Sequence, residues 1–334
     1  MSGLPAYAEL HCLTNFTFLT GASHPDELVS RARALEYTAL AITDECSLAG
    51  VVRAHAAAKE CGQRILIGSE IGLQDGPRLV LLACDREGYG NLSELVTLGR
   101  RRAKKGSYRL ERSDLASGLP GCMALWLAGE EADAADGRWL GGLFPDSAWI
   151  ACALHRAGGD RQRLARLREL GADSGLPLVA VGSVLMHERS RKPLQDLLTG
   201  IRLNLTVAAA GHALQPNAER HLRDRCDLGR FYPPDLLAET LRVAGRCRFS
   251  LDELRYEYPD ELVPSNLTPA AHLRQLALEG LRRRWPAGAP EKVRRLVDYE
   301  LALIAELDYE PYFLTVHDIV RFARSQGILC QGRG

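Results

Sequence analysis

The chain has 334 residues, 46% of them hydrophobic and 25% charged, and Lys plus Arg balances Asp plus Glu at 42 each. That length can bury a sizeable core in two or three domains. Charge balance excludes a global field that would collect nucleic acid or a membrane surface, so any such contact must come from a local patch.

The N-terminus MSGLPAYAEL lacks the basic-then-apolar order of an export signal. No stretch approaches the roughly 18 apolar residues a bilayer span needs. Nine scattered cysteines without a C-x-x-C pair read as reduced thiols of a cytoplasmic protein. From residue 7 to about 205, short β-type runs alternate with helical ones: YAELHCL, HPDELVSRARALEY, ALAIT, SLAGVVRAHAAAKECG, RILIGSEIGL with RLVLLACD, then a helix near 90–103. MALWLAG, AWIACALHR, RQRLARLRELGADSG, PLVAV and KPLQDLLTGI continue the order. This alternation predicts parallel strands with crossover helices, in an open sheet or a barrel. Ser23, ahead of Pro25, Asp26 and Glu27, is the cap candidate for the first helix, and Gly62 ends the second.

Polar residues gather where apolar runs end: His11, Thr43-Asp44-Glu45, Ser69-Glu70, His155 and Ser183. In barrels and open sheets the carboxyl ends of strands carry the chemistry, so these positions converge on one rim and one candidate site. From 206 to 265 the pattern loosens into short helices, a Pro233-Pro234 break and the extended RYEYPDELVP, where a domain boundary is expected. Three helices follow: TPAAHLRQLALEGLRRRW, EKVRRLVDYELALIAELDY and FLTVHDIVRFARSQG. In the second, Val293, Leu296, Val297, Leu301, Ile304 and Leu307 fall at helical spacing.

His11, Asp44 and Glu70 are donor types that Zn or Mn accepts, with Glu45 nearby. Three such separated residues more usually form a hydrogen-bonded rim, and Asp44 could instead cap a helix starting near Ser47. His155 and His187 rank behind His11 as ligands. The run GRRRAKKGSYRLER, residues 99–112, offers Arg100, Arg101, Arg102, Lys104 and Lys105 as DNA-contact candidates, followed by Tyr108, Arg109 and Arg112. It fits either a phosphate-tracking surface or an ordinary solvated one. In ILCQGRG, glycines flanking an arginine allow close approach of backbone and guanidinium to a phosphate, which makes Gly332, Arg333 and Gly334 nucleotide-binding candidates.

Three of these stretches carry a resemblance. YAELHCLTNFTFLTGASHPDELVSRARALEYTALAITDECSLAG, REGYGNLSELVTLGRRRAKKGSY and YFLTVHDIVRFARSQGILCQGRG resemble the start of bacterial C-family DNA polymerase III α subunits, in particular the error-prone type used in damage-induced mutagenesis. The resemblance extends over essentially the whole chain. It implies an α/β fold: a polymerase-and-histidinol-phosphatase (PHP) domain over 1–258, built as a distorted, TIM-like β/α barrel, then a small, mainly helical palm segment over 259–334.

The family's metal rim opens with a His-x-His pair, which here is His11 and Leu13. Its Thr-Asp-His motif reads Thr43-Asp44-Glu45, and a following glutamate is kept as Glu70. A later glutamate is replaced by Ala153, and Asp-Val-His by Ser183-Val184-Leu185. Hydrocarbon cannot ligate a metal, so the resemblance implies a degenerate rim and a barrel that acts as support. It also implies that the palm aspartates holding two Mg²⁺ lie beyond Gly334, leaving this stretch inert for nucleotidyl transfer. Primer-template DNA, deoxynucleotides, a sliding clamp and accessory mutagenesis proteins are the implied partners, with no membrane. Two further function classes stand beside this one: a free-standing metal-dependent PHP phosphoesterase, and a protein- or DNA-binding scaffold.

Overall fold

The structure is a computed structural model that describes residues 3–254 and 262–330. Contacts divide the chain into two compact units, residues 1–254 and 255–334.

The first unit is a curled sheet of seven strands in sequence order, wrapped by helices. In chain order it runs β1 (Ala8–Glu9), α1 (Pro25–Ala34), β2 (Ala39–Ile42), α2 (Val51–Cys61), β3 (Ile65–Gly72), β4 (Arg78–Ala83), α3 (Arg86–Arg101) and β5 (Cys122–Trp126). Then come α4 (Ala134–Leu143), β6 (Ala148–Cys152), α5 (Asp160–Ser174), β7 (Leu178–Ala180), α6 (Lys192–Leu203), α7 (Val207–Ala210), α8 (Arg225–Phe231) and α9 (Pro234–Arg246). Side chains alternate across the sheet, as the two-residue strand period requires. Leu40, Ile42, Leu79, Leu81 and Ile150 share one buried cluster with the apolar sides of α1 to α5. Ala39, Ala41, Val80, Leu82 and Ala151 share another with Val243 and Ala244 of α9. Both faces are covered, which is why the strands read as unbroken apolar runs.

The sheet is not uniformly parallel. β1, β2 and β3 pair in parallel, as do β5, β6 and β7, but β4 is antiparallel to both neighbours. RILIGSEIGL and RLVLLACD lie too close in sequence for a crossover helix, so they form a hairpin. Beyond β1 and β7 the sheet's two edges meet. Cys12 bridges Val184 in parallel, with Leu13 N–H donating to Val184 O and Val184 N–H to His11 O, both at 2.9 Å. That bridge brings the first and last strand ends of the barrel side by side.

Two helix starts differ from expectation. His24, not Ser23, is the N-cap of α1, and its backbone N–H donates to Glu27 Oε2 at 2.8 Å. Ser23 instead accepts the His187 N–H at 2.9 Å, with its Oγ 2.8 Å from His187 Nδ1, so this histidine secures the barrel wall. The Pro233-Pro234 break is the start of α9, where a missing N–H costs nothing.

The second unit contains α10 (Pro269–Arg284), α11 (Glu291–Glu306) and α12 (Glu310–Ser325), the three expected helices. Leu273 and Leu314 are its buried apolar residues among those described. Of the apolar stripe of α11, Val293, Val297, Leu301 and Ile304 are half-buried while Leu296 and Leu307 are exposed. Among the described residues no helix is long and apolar enough to cross a membrane.

Candidate functional site

The chain just after β1 carries His11 into the rim, where it is buried. Its Nε2 lies 2.7 Å from Glu70 Oε2 and its Nδ1 3.0 Å from Ser183 Oγ. The second oxygen of Glu70 accepts a hydrogen bond from the Arg78 guanidinium. Burial by itself pushes the Glu70 carboxyl up, but the hydrogen bond and charge of His11, joined by Arg78, outweigh it and hold the pKa at about 2. Arg78 Nη1 also reaches Glu45 Oε1 at 3.3 Å, and that same oxygen accepts from Tyr108 OH at 2.9 Å. A second guanidinium, Arg220, donates through Nε to Ser183 O at 2.7 Å. Burial lowers the Arg220 pKa to about 10, against the opposing pull of Glu70.

Asp44 is buried with both oxygens engaged. Oδ1 accepts from Thr14 N–H at 2.8 Å and Thr17 Oγ at 2.7 Å, and Oδ2 accepts from Thr14 Oγ at 2.8 Å. Burial raises its pKa in spite of these bonds. It does not cap the following helix: α2 begins at Val51 with Gly50 as N-cap and no side-chain cap bond. A Cβ on Gly50 would lie 2.5 Å from Asp44 Oδ2, so glycine leaves room for the carboxylate. Asp44 fastens the 14–17 loop rather than facing a shared ion.

The rim therefore brings His11 and Glu70 together and turns Asp44 away. Among the described residues, no group of three or more His, Cys, Asp or Glu is placed to hold a metal ion. The donors do not fit one: His11 Nε2 is spent on Glu70, Glu70 on His11 and Arg78, and Asp44 on two threonines. The positions where the family pattern would add ligands hold Leu13 and Leu185, which pack in a small buried cluster with Ala22 and Met186. His155 does not reach the pair either. Its Nε2 donates to Gly182 O at 2.9 Å, and burial followed by the charge of Arg220 lowers its pKa to about 4. What remains is a carboxylate clasped by an imidazole and a guanidinium, an arrangement that neutralises buried charge.

The sequence reading missed Arg78, Arg220 and Tyr108 as rim residues. Arg78 was within reach. In the β3–β4 hairpin Glu70 pairs with Val80 and Gly72 with Arg78, so Arg78 sits diagonally across from Glu70 on the same face. Arg220 carries no such signal.

The basic run at the end of α3 is only partly available to a ligand. Arg100 Nε and Nη2 donate to the carbonyls of Cys46 and Glu45, both at 3.0 Å, bracing the turn in which Cys46 takes φ +44°. Arg102 binds Asp114 through two contacts at 2.6 and 2.7 Å, Arg109 binds Glu111, and Arg112 binds Asp136. Arg101, Lys104 and Lys105 are left without an acidic partner among the described residues. Gly332, Arg333 and Gly334 lie outside the described residues.

A model described as PHP domain matches residues 9–129, and one described as bacterial DNA polymerase III alpha NTPase domain matches residues 271–334. An error-prone DNA polymerase of Dechloromonas aromatica is 60% identical over 336 residues, covering 99% of this chain and 33% of that protein. That of Methylococcus capsulatus is 60% identical over 329 residues, covering 98% and 31%. That of Pseudomonas paraeruginosa is 57% identical over 331 residues, covering 99% and 32%. The chain thus spans about a third of the length of the curated relatives it matches. Among solved structures, a protein described as a metal-dependent phosphoesterase from Bifidobacterium adolescentis is similar at 16% identity and a TM-score of 0.41, over 54% of this chain and 88% of that one. Along nearly its whole length the chain is 57–60% identical to about a third of each of these error-prone DNA polymerases, and the two family models match its opening and closing stretches.

Proposed function

We propose that this chain serves an error-prone DNA-directed DNA polymerase, a cytoplasmic nucleotidyltransferase acting in translesion synthesis, DNA repair and damage-induced mutagenesis. In this reading residues 1–258 are a PHP support and residues 259–334 open the palm. Gly332, Arg333 and Gly334 handle the nucleotide triphosphate, and Mg²⁺ is held by palm aspartates outside this chain. Primer-template DNA and deoxynucleotides are the substrates, and a sliding clamp and accessory mutagenesis proteins are the partners. Arg101, Lys104 and Lys105 remain the cations of the 99–112 run best placed to meet DNA.

One observation carries the division of labour: the rim carboxylate Glu70 is satisfied by His11 and Arg78, while Leu13 and Leu185 stand where further donors would be needed. Neither Zn nor Mn has a donor set there, and no phosphoester hydrolysis is assigned to the barrel. The test is to purify the chain, measure Zn, Mn and Fe by plasma mass spectrometry, and assay 3′ exonuclease activity. The expected result is substoichiometric metal, no excision, and an unfolding midpoint unmoved by EDTA. Stoichiometric metal with excision lost in His11→Ala would overturn the reading.

A further inference from the structure

We infer that the elbow joining α10 to α11 is a binding site for single-stranded DNA, with the phosphate backbone on its guanidinium groups and a base or sugar against Trp285. The choice of DNA rests on the polymerase reading above; the site itself rests on charge and shape.

Charge is balanced over the chain but not here. Residues 282–295 hold Arg282, Arg283, Arg284, Lys292, Arg294 and Arg295 against a single acid, Glu291. All six cations are exposed. Glu291 is taken by Arg295 at 3.0 Å, and Arg282, Arg283 and Lys292 have no acidic partner among the described residues. The run at the end of α3 differs, because there Arg102, Arg109 and Arg112 each hold a carboxylate.

Helix electrostatics explain only half the cluster. Arg282, Arg283 and Arg284 occupy the last turn of α10, where cations favour the negative end of the helix dipole. Lys292 lies in the first turn of α11, the positive end, where a cation is disfavoured, and Arg294 and Arg295 follow in the next turn with Glu291 already taken by Arg295. Crowding six like charges at one turn adds to that cost.

The turn is built to bring the two sets together. Trp285 N–H donates to Leu281 O at 2.8 Å, and Gly288, at φ +103°, donates to Trp285 O at 3.0 Å and reverses the chain. Arg294 folds back across the turn, its Nε donating to Ala289 O at 2.9 Å. Between the helix ends lies a cleft of about 350 Å³ with Leu278, Leu281 and Trp285 as its apolar lining and Arg282 and Arg294 among its polar lining. Arg274 and Asp298, also in the lining, hold each other at 2.8 Å, so the one carboxylate of the cleft is neutralised. Six cations spread over two helix ends exceed what one phosphate needs. Cations beside an aromatic-lined cleft match the way single strands are held, by phosphate contacts and base stacking together.

The experiment is fluorescence anisotropy of the 334-residue chain with a labelled oligothymidylate across a salt series, each variant's fold being checked by circular dichroism. The triple variant R282Q/R283Q/R294Q should lose about tenfold or more in affinity at low salt, and its log–log salt slope should become shallower by about 2, at ~0.7 per phosphate contact. Trp285→Ala should weaken binding about fivefold or more with the slope unchanged. A charge-matched control in the first unit, R33Q/R161Q/R202Q, should stay within about twofold of the parent. A folded triple variant that binds like the parent overturns the proposal, as do equal losses in both triple variants or a parent chain that binds no oligonucleotide. Primer extension by the complete gene product judges the polymerase reading separately. Extension retained with the elbow variants silent removes the elbow alone, and binding at the elbow without extension removes only the polymerase reading.

Discussion

Glu70 is the residue on which the rim turns. Its side chain is almost fully buried, whereas that of Arg78 is 49% exposed, so the pair is lopsided: losing the arginine strands a buried charge. Arg78→Met should therefore destabilise the chain by about 2 kcal/mol in urea unfolding. Adding Glu70→Met to that variant should restore part of the loss, because the stranded charge goes with it. An Arg78→Met midpoint equal to the parent's would remove Glu70's dependence on the guanidinium. His155 offers a pH test. Burial and the charge of Arg220 hold its pKa at about 4, below the ordinary 6.5, so between those values the unfolded chain binds a proton that the folded chain refuses. The contribution from this residue is complete above pH 6.5, declines as pH falls toward 4, and levels off below. His155→Gln keeps a donor for Gly182 O and should shed this dependence. The stability gap between parent and variant should shift by up to about 3 kcal/mol between pH 7 and 4, and parallel curves would contradict the assignment.

Among elements, the loop from Thr14 to Thr17 and the start of α2 are joined through Asp44. The glycine at position 50 is a matter of space: a methyl group there would meet Asp44 Oδ2 at 2.5 Å and Thr14 Oγ at 3.0 Å. Gly50→Ala should cost about 2–3 kcal/mol as judged by the urea midpoint, and Gly50→Ala in an Asp44→Ala background should cost much less. Equal costs in both backgrounds would show that the clash lies elsewhere. The β3–β4 hairpin is the other decisive element. Its register, Glu70 opposite Val80 and Gly72 opposite Arg78, brings the guanidinium to the carboxylate from eight residues away. Helices and strands were legible as periodic runs, and so was the gathering of polar residues at strand ends. Antiparallel β4 was legible in principle from the short QDGP connection between two apolar runs, but alternation with helices dominated the reading. The Ser23 cap was misread because a serine ahead of Pro25 satisfies the pattern for a cap, while its hydroxyl had a partner 164 residues away in His187.

At the scale of the whole molecule the two units differ in how much each buries. Every buried apolar residue except Leu273 and Leu314 belongs to the first unit, among the residues described. Backbone protection should follow burial: amides of α10, α11 and α12 should exchange roughly 10²-fold faster than those of β3, β4 and β5 in hydrogen-exchange mass spectrometry. Equal protection in the two units would mean that Leu296, Leu303 and Leu307, exposed here, are covered in solution.

Local pattern alone established the alternating α/β order and the three C-terminal helices, because periodicity is a property of short stretches; that Leu13, Ala153 and Leu185 replace rim donors is what the family resemblance implies. Tertiary structure alone decided which cations are spent. Arg100, Arg102 and Arg112 belong to the same basic run as Arg101, Lys104 and Lys105, and only the fold sets a carbonyl or carboxylate beside the first three. It likewise decided that His11 faces Glu70 while Asp44 faces threonines. Pairing across a curled sheet depends on distances between residues far apart in the chain, which no local pattern encodes.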